Sequence, residues 1–423
     1  MIKHTFRNTL ALKIQKKLYY GWVIIALAVV AMFFSSPGQT YGISVFIDAY
    51  IADFGLSRTL ISSIYSVATV ISGILLVFVG RAVDKHGPRR MLVVVGIGLV
   101  IATLFNSFIN GIVMIFFGFF MMRYLGQGSL TLIPGALVPQ WFEKRRALAI
   151  SLMTTGTILG TLIVPALNLS IIQNYSWQTA WRMWSVLALV VLVPLMALFV
   201  INKPEDIGLL PDNKAASDAE TLQAEMDKMI ATSWTLKEAL RTKEFWLIGL
   251  ISMIMPMVNT GLMFHFFSIM KLQGIDSSTA AIVIGLVALP GFFMPIFAGT
   301  IVDRYRSKFI ILIALVVITL DFLFLNIVHS FITGAIFMLV LGLANNMQGV
   351  TLNVIWVKYF GRMHLGSIRG AAAVFGVIGS ALGPLPFGLS YDLTGSYTTI
   401  LFIVAGLTFT GAIMAASIKR PVK

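Results

Sequence analysis

Gly80-Arg81-Ala82-Val83-Asp84-Lys85-His86-Gly87-Pro88-Arg89-Arg90 is a short charged stretch held between two apolar runs, about 60–80 and 90–107. Gly80 and Gly87 let two helix ends turn tightly and approach their neighbours. Asp84 is placed to accept hydrogen bonds from a facing helix N-terminus, where a carboxylate gains roughly 0.3–1 kcal/mol. Arg89 and Arg90 suit anionic headgroups or carboxylates, and serve equally as topology signals. The pattern Gly80-x-x-x-Asp84 returns downstream as Gly299-x-x-x-Asp303. At the same offset Gly160 and Pro165 return as Gly379 and Pro384. Each pair falls at an equivalent place, so the chain reads as two like halves.

Composition says what surrounds those halves. Of 423 residues, 58% are hydrophobic and 11% charged, where a soluble globular chain carries roughly 25% charged. That much apolar surface cannot be hidden in one core, so lipid is part of the solvent. The net charge of +14 comes from short basic clusters between apolar runs, a pattern of membrane orientation rather than nucleic-acid binding. With no cysteine, disulfides, thiolate metal sites and thiol nucleophiles are excluded. Neither a nucleotide loop nor a triad spacing is present, so no enzyme, metal or cofactor is expected.

A bilayer crossing needs about 20 mostly apolar residues. Twelve such runs follow one another, at about 21–47, 60–80, 90–107, 112–138, 147–172, 180–201, 244–269, 278–300, 308–328, 332–356, 367–389 and 397–418. The first is too long for a signal-peptide core, and no small-residue cleavage site precedes the second. Of the 31 lysines and arginines, all but Arg58, Arg123, Arg182 and Lys271 fall on one side when both termini are cytoplasmic, as the positive-inside rule requires. The expected organisation is a six-helix bundle over 1–202, a cytoplasmic linker over 203–243 and a second six-helix bundle over 244–423. Pro204 is expected to stop the sixth helix, and 215–228 to form a short surface helix. Six spans per half make the repeat parallel, with the solute site between the halves near the midplane.

The stretch 80–90 looks like the loop signature of the major facilitator superfamily. Arg123-Tyr124-Leu125-Gly126-Gln127-Gly128 resembles that superfamily's arginine motif in the fourth span. Trp141-Phe142-Glu143-Lys144-Arg145-Arg146-Ala147-Leu148-Ala149 and Pro204-Glu205-Asp206-Ile207-Gly208-Leu209-Leu210-Pro211-Asp212 are similar to bacterial relatives of oxalate/formate antiporters and monocarboxylate transporters. So are Tyr359-Phe360-Gly361-Arg362-x-His364-Leu365-Gly366 and Asp392-Leu393-Thr394-Gly395-Ser396-Tyr397. The resemblance implies an all-α membrane protein with twelve transmembrane helices in two pseudosymmetric bundles. It also implies that Gly80, Asp84, Gly87, Arg89, Arg90 and, in the second copy, Asp303 gate the conformational change. Two departures stand out: Pro88 replaces a usual basic residue, and 278–300 holds no basic residue where the anion carriers resembled have an arginine.

The candidate solute or coupling residues are polar groups at membrane depth. A guanidinium there costs about 2.5–3.5 kcal/mol on insertion scales, so Arg123 must face a cavity or a partner. Gln127 follows it, and Gln39 and Tyr41 come just after the helix-breaking Pro37-Gly38 of the first span. His265, whose side chain titrates near neutrality in water, lies in the seventh span with Asn259; Asn345 and Gln348 lie in the tenth. The resemblance makes the first, fourth, seventh and tenth spans the cavity walls. The plainer role for most of these groups is interhelical hydrogen bonding, worth about 0.6 kcal/mol a pair. The runs Gly156-x-x-x-Gly160 and Gly376-x-x-Gly379-x-x-x-Gly383-Pro384 are expected as rocking surfaces between the halves.

The expected function is secondary transport of a small organic anion, a mono- or dicarboxylate, by alternating access, with protons or an exchanged anion as driver. Export of a neutral or amphiphilic compound is the alternative, and a non-transporting solute sensor a remoter one. The expected partners are the solute, protons and the bilayer, with no nucleic acid. The expected setting is a bacterial inner membrane, with the chain working as a monomer.

Overall fold

The computed structural model describes residues 6–15, 18–143, 145–209, 211–213, 234–294, 301, 304–361 and 365–421. Regular structure among them is helical throughout, because hydrocarbon offers no water to backbone N–H and C=O groups. Twelve of these helices are long and apolar enough to cross a bilayer. They are α1 (Tyr20–Phe54), α2 (Arg58–His86), α3 (Pro88–Asn106), α4 (Ile112–Trp141), α5 (Leu148–Asn174), α6 (Trp177–Phe199), α7 (Lys243–Leu272), α8 (Ser277–Met294), α9 (Ser307–Ile327), α10 (Phe331–Phe360), α11 (Ile368–Thr394) and α12 (Thr398–Ser417). The runs read from hydropathy match these helices one for one.

The ends differ where polar residues continue a helix. Arg81 to His86, read above as loop, extend α2; only Gly87, at φ 81°, breaks it before Pro88 opens α3. Hydropathy ends the span at Gly80 because charge is disfavoured in hydrocarbon, yet the ladder of backbone hydrogen bonds runs on into the headgroup layer. α6 ends at Phe199, ahead of the Pro204 expected to stop it. The surface helix expected over 215–228, and Gly299 and Asp303 of the second signature, lie outside the described residues.

The chain forms two compact units, one of residues 1–56 and 67–216, the other of 57–66 and 217–423. The first turns of α2 thus group with the second unit, which a cut in the linker alone does not foresee. Within each unit the first helix is the most buried, α1 in one and α7 in the other. In the first unit α5 packs on α1 through Gly156, where a Cβ would strike the Val29 carbonyl, and Gly160, where it would strike Ser36 Oγ. In the second, α11 packs on α7 through Gly379 and Gly383, against the carbonyls of Met253 and Met257. The repeat Gly160/Gly379 is therefore a repeat of packing. These glycines serve contacts inside each unit, because two backbones that close leave no room for a side chain.

In the first unit α6 is fastened by its indoles. Trp177 Nε1 donates to Asp53 Oδ2 (2.7 Å), Trp181 Nε1 to Tyr50 OH (2.9 Å) and Trp184 Nε1 to Asn168 Oδ1 (2.7 Å). Phe46 stacks on Trp181 at 4.3 Å. Each aromatic thus buries a large face while its polar edge keeps a partner.

Candidate functional site

Pro37 cannot donate a backbone hydrogen bond, and α1 breaks there. Its first part ends at Phe34, Ser36–Gly38 form a 3₁₀ turn, Gln39 is extended at φ −76° and ψ 155°, and the helix resumes at Thr40. Side chains knit the break: Ser35 Oγ donates to Met32 O (2.7 Å), Gln39 Nε2 to Ser35 Oγ (3.3 Å) and Tyr41 OH to Ser36 Oγ (3.0 Å). Ser35 and Ser36 are fully buried.

α4 is irregular too. Met122–Ser129 form a π-helical turn, an arrangement frequent at functional sites, in which Ser129 Oγ donates to Tyr124 O (2.7 Å). The two irregular segments touch. A Cβ on Gly38 would collide with the Met122 carbonyl, and one on Gly126 would stand 3.0 Å from Gly38 Cα. Arg123, 3% exposed, lies in this turn with Nη1 3.5 Å from Thr40 Oγ1 at the restart of α1. Gln127, half-buried, occupies the same turn. The structure therefore brings Arg123, Gln127, Gln39 and Tyr41 into one region of the first unit, where a buried cation meets a backbone opened on both helices.

The gating candidates of that unit divide. Gly87 faces Asn202, whose side chain a Cβ would approach to 2.8 Å. Asn202 Oδ1 accepts from Arg89 N (2.9 Å), capping α3 from across the unit, and Arg89 Nε and Nη2 donate to Ala197 O (3.2 and 2.8 Å). Asp84 and Arg90 are exposed. Nothing lies within 4 Å of a Cβ on Gly80, so the close approach expected there is absent among the described residues.

The remaining candidates lie in the second unit. His265, 1% exposed, has Nε2 3.0 Å from both the Pro384 carbonyl and Ser62 Oγ, and Nδ1 3.2 Å from Tyr397 OH. A carbonyl only accepts and Ser62 Oγ donates to Arg58 O (2.6 Å), so Nε2 carries the proton. Tyr397 OH, beside Nδ1, donates to Ser268 Oγ (3.0 Å). Phe387 stacks parallel to the imidazole. Both ring nitrogens are thus engaged by the protein. Asp392, on α11, accepts from Arg58 N (3.3 Å) and Thr59 N (2.7 Å) at the start of α2. Asp392 thus sets a carboxylate on the N-terminus of α2.

Asn259 and Asn345 join α7 to α10 by a double amide pair, each Nδ2 donating to the other's Oδ1 at 3.1 Å. Gln348, one turn further along α10, is 1% exposed and neither amide atom has a hydrogen-bond partner among the described residues. Asp321 on α9 is 5% exposed, with Oδ2 likewise unpartnered among the described residues. No cluster of three or more histidine, aspartate or glutamate side chains suited to a metal occurs among the described residues.

Sequence reasoning passed over Ser62, Asp392 and Tyr397 as working residues, although the last two sit in a stretch it had singled out. Their partners are distant in the chain, and no local pattern announces such pairs.

The sequence model of the Major Facilitator Superfamily matches residues 11–384. Monocarboxylate transporter 14 of Homo sapiens is 24% identical over 196 residues, 46% of this chain and 38% of that protein. The multidrug resistance protein MdtL of Escherichia coli O81 (strain ED1a) is 24% identical over 173 residues, 40% of this chain and 43% of that protein. The chain therefore matches less than half the length of these relatives. The crystal structure of the D-xylose-proton symporter superposes with a TM-score of 0.73 at 14% identity, covering 94% of this chain and 98% of that one, which establishes the shared fold. Members of the family are membrane transporters rather than enzymes. With twelve spanning helices and a family match over most of its length, the chain belongs to the major facilitator superfamily.

Proposed function

We propose that this transporter carries a small organic anion, a mono- or dicarboxylate, by alternating access across a bacterial inner membrane, driven by protons or by exchange. The observation that carries this reading is Arg123, a cation held at membrane depth beside the opened backbone of α1. Fixed positive charge in a low-dielectric site favours an anion far more than it would in water. Gln127, Gln39 and Tyr41 offer donors in the same region. The likeness to a monocarboxylate transporter supports the class of solute. In the second unit the amide of Gln348, without a hydrogen-bond partner among the described residues, is suited to a polar solute. His265, with both nitrogens engaged, is assigned to holding its unit together rather than to solute.

Two observations favour a second reading, efflux of a neutral or amphiphilic compound: α8 holds no basic residue, and the chain is also similar to a multidrug resistance protein.

Thermal unfolding of the purified protein against carboxylates, amines and neutral metabolites separates the two. A ligand at a hundred times its dissociation constant adds about 2.7 kcal/mol of stability. Stabilisation by a carboxylate in the wild type and not in Arg123→Gln supports anion transport. Stabilisation by amines or neutral compounds alone, or an equal response of the variant, supports efflux and makes Arg123 structural.

A further inference from the structure

Within the second unit, α9 and α10 enclose an apolar groove of about 300 Å³. Phe309, Ile313 and Val317 line it from α9, and Leu343, Ala344 and Met347 from α10. It faces outward, since Phe309, Ile313 and Leu343 are 48%, 60% and 44% exposed. From Phe309 to Val317 the groove rises about 12 Å, at 1.5 Å per residue. That is under half of a hydrocarbon core about 30 Å thick, on the side where α9 begins. The same end gathers positive charge. Arg304 and Arg306 are exposed beside Tyr305, which lines the mouth. Lys308 donates to Ala416 O (3.4 Å), which brings the end of α12, with exposed Lys419 and Arg420, alongside. Asp303 lies outside the described residues.

An outward apolar groove confined to one leaflet's depth, with cations fixed at its mouth, has the shape and charge of an anionic phospholipid. We propose that it seats an acyl chain of such a lipid, whose phosphate is held by Arg304 and Arg306. Cations at a membrane surface also act as general topology signals, but those require no groove. Here the chain of the lipid and its headgroup each find a dedicated surface a few residues apart, on α9 and just before its start.

The test is native mass spectrometry of the detergent-purified protein titrated with phosphatidylglycerol or phosphatidylcholine. Phosphatidylglycerol adducts should exceed phosphatidylcholine adducts by roughly tenfold, about what one or two basic residues near a surface supply. The double variant Arg304→Gln/Arg306→Gln should abolish that excess, whereas Arg81→Gln/Lys85→Gln, exposed cations of the first unit, should leave it. Ala344→Trp, which fills the groove, should remove adducts of both lipids. Ile313→Trp, at an outward position, serves in its place if that variant does not fold. Equal retention of the two lipids overturns the proposal, as does an excess untouched by the arginine pair or by filling the groove.

Discussion

Gly126 and Gly38 meet backbone to backbone: a Cβ on Gly126 would stand 3.0 Å from Gly38 Cα, and one on Gly38 would collide with the Met122 carbonyl. Neither neighbour can rotate away, so alanine must push the break in α1 off the π-helical turn of α4. Overpacking of this kind costs about 1–3 kcal/mol. Gly38→Ala and Gly126→Ala should each lower the melting temperature and weaken solute binding, with Arg123 displaced in both. Gly135→Ala on α4, where a Cβ meets nothing within 4 Å, should leave both unchanged. Scanning fluorimetry of the three variants checks the contrast; equal behaviour of all three sinks it.

The Asn259–Asn345 pair joins α7 to α10 through two reciprocal hydrogen bonds. Removing one amide leaves the other, half-buried, with its bonding capacity unmet, whereas removing both leaves nothing unpaired. Asn259→Leu and Asn345→Leu should each destabilise, and the double variant by less than their sum. Interhelical pairs in membranes couple by about 0.6 kcal/mol on average. A double-mutant cycle measures the coupling, and additivity would show that the pair contributes no mutual stabilisation.

His265 gathers Pro384, Ser62 and Tyr397 around one buried ring. His265→Phe keeps the stacking on Phe387 but leaves these partners unmet, at about 1–3 kcal/mol. Tyr397→Phe loses only the contacts of its hydroxyl and should cost less. Unfolding of the two variants should rank in that order. Solute binding by Tyr397→Phe should match the wild type, since no solute role is assigned to this cluster; a lost solute response would return His265 and its partners to the binding site.

Asp276 caps α8, accepting from Ser278 N (2.9 Å) and Thr279 N (3.0 Å). Hydrogen bonds from Thr279, then from Ser278, hold its carboxyl below the ordinary carboxylate range. A depressed folded-state value means the stabilisation is present above the unfolded value and lost as pH falls through the folded one. Asp276→Ala should therefore be less stable than the wild type at neutral pH, and the difference should shrink in acid below the ordinary aspartate range. Melting temperatures of both proteins across an acid series decide it; a gap constant with pH removes the carboxylate from the account.

Gly87→Ala tests the break between α2 and α3. The residue needs a positive φ of 81° and faces the Asn202 side chain, so alanine is strained on both counts. Asn202→Ala removes the cap on Arg89 N, a loss of about 1 kcal/mol for a typical N-cap. Combining the two should cost less than their sum, because each disturbs the same junction; hydrogen exchange at the start of α3 reads it directly.

Hydropathy and charge alone determined that this chain crosses a membrane twelve times, because a bilayer requires long apolar helices with satisfied backbones and no other signal is so strong. The repeated Gly160 and Gly379 likewise showed two like halves before any contact was known. Arg123 and the Pro37-Gly38 break were legible because charge and proline at membrane depth are costly enough to need a reason. Tertiary structure decided what those marks do. It set Gly38 on Gly126, set Asp392 on the N-terminus of α2, gave Gly156 and Gly383 backbone contacts inside their units, and engaged both nitrogens of His265. Such pairings join residues up to hundreds of positions apart and depend on distances of a few tenths of an ångström, which a residue's type does not encode and only its packed neighbours supply.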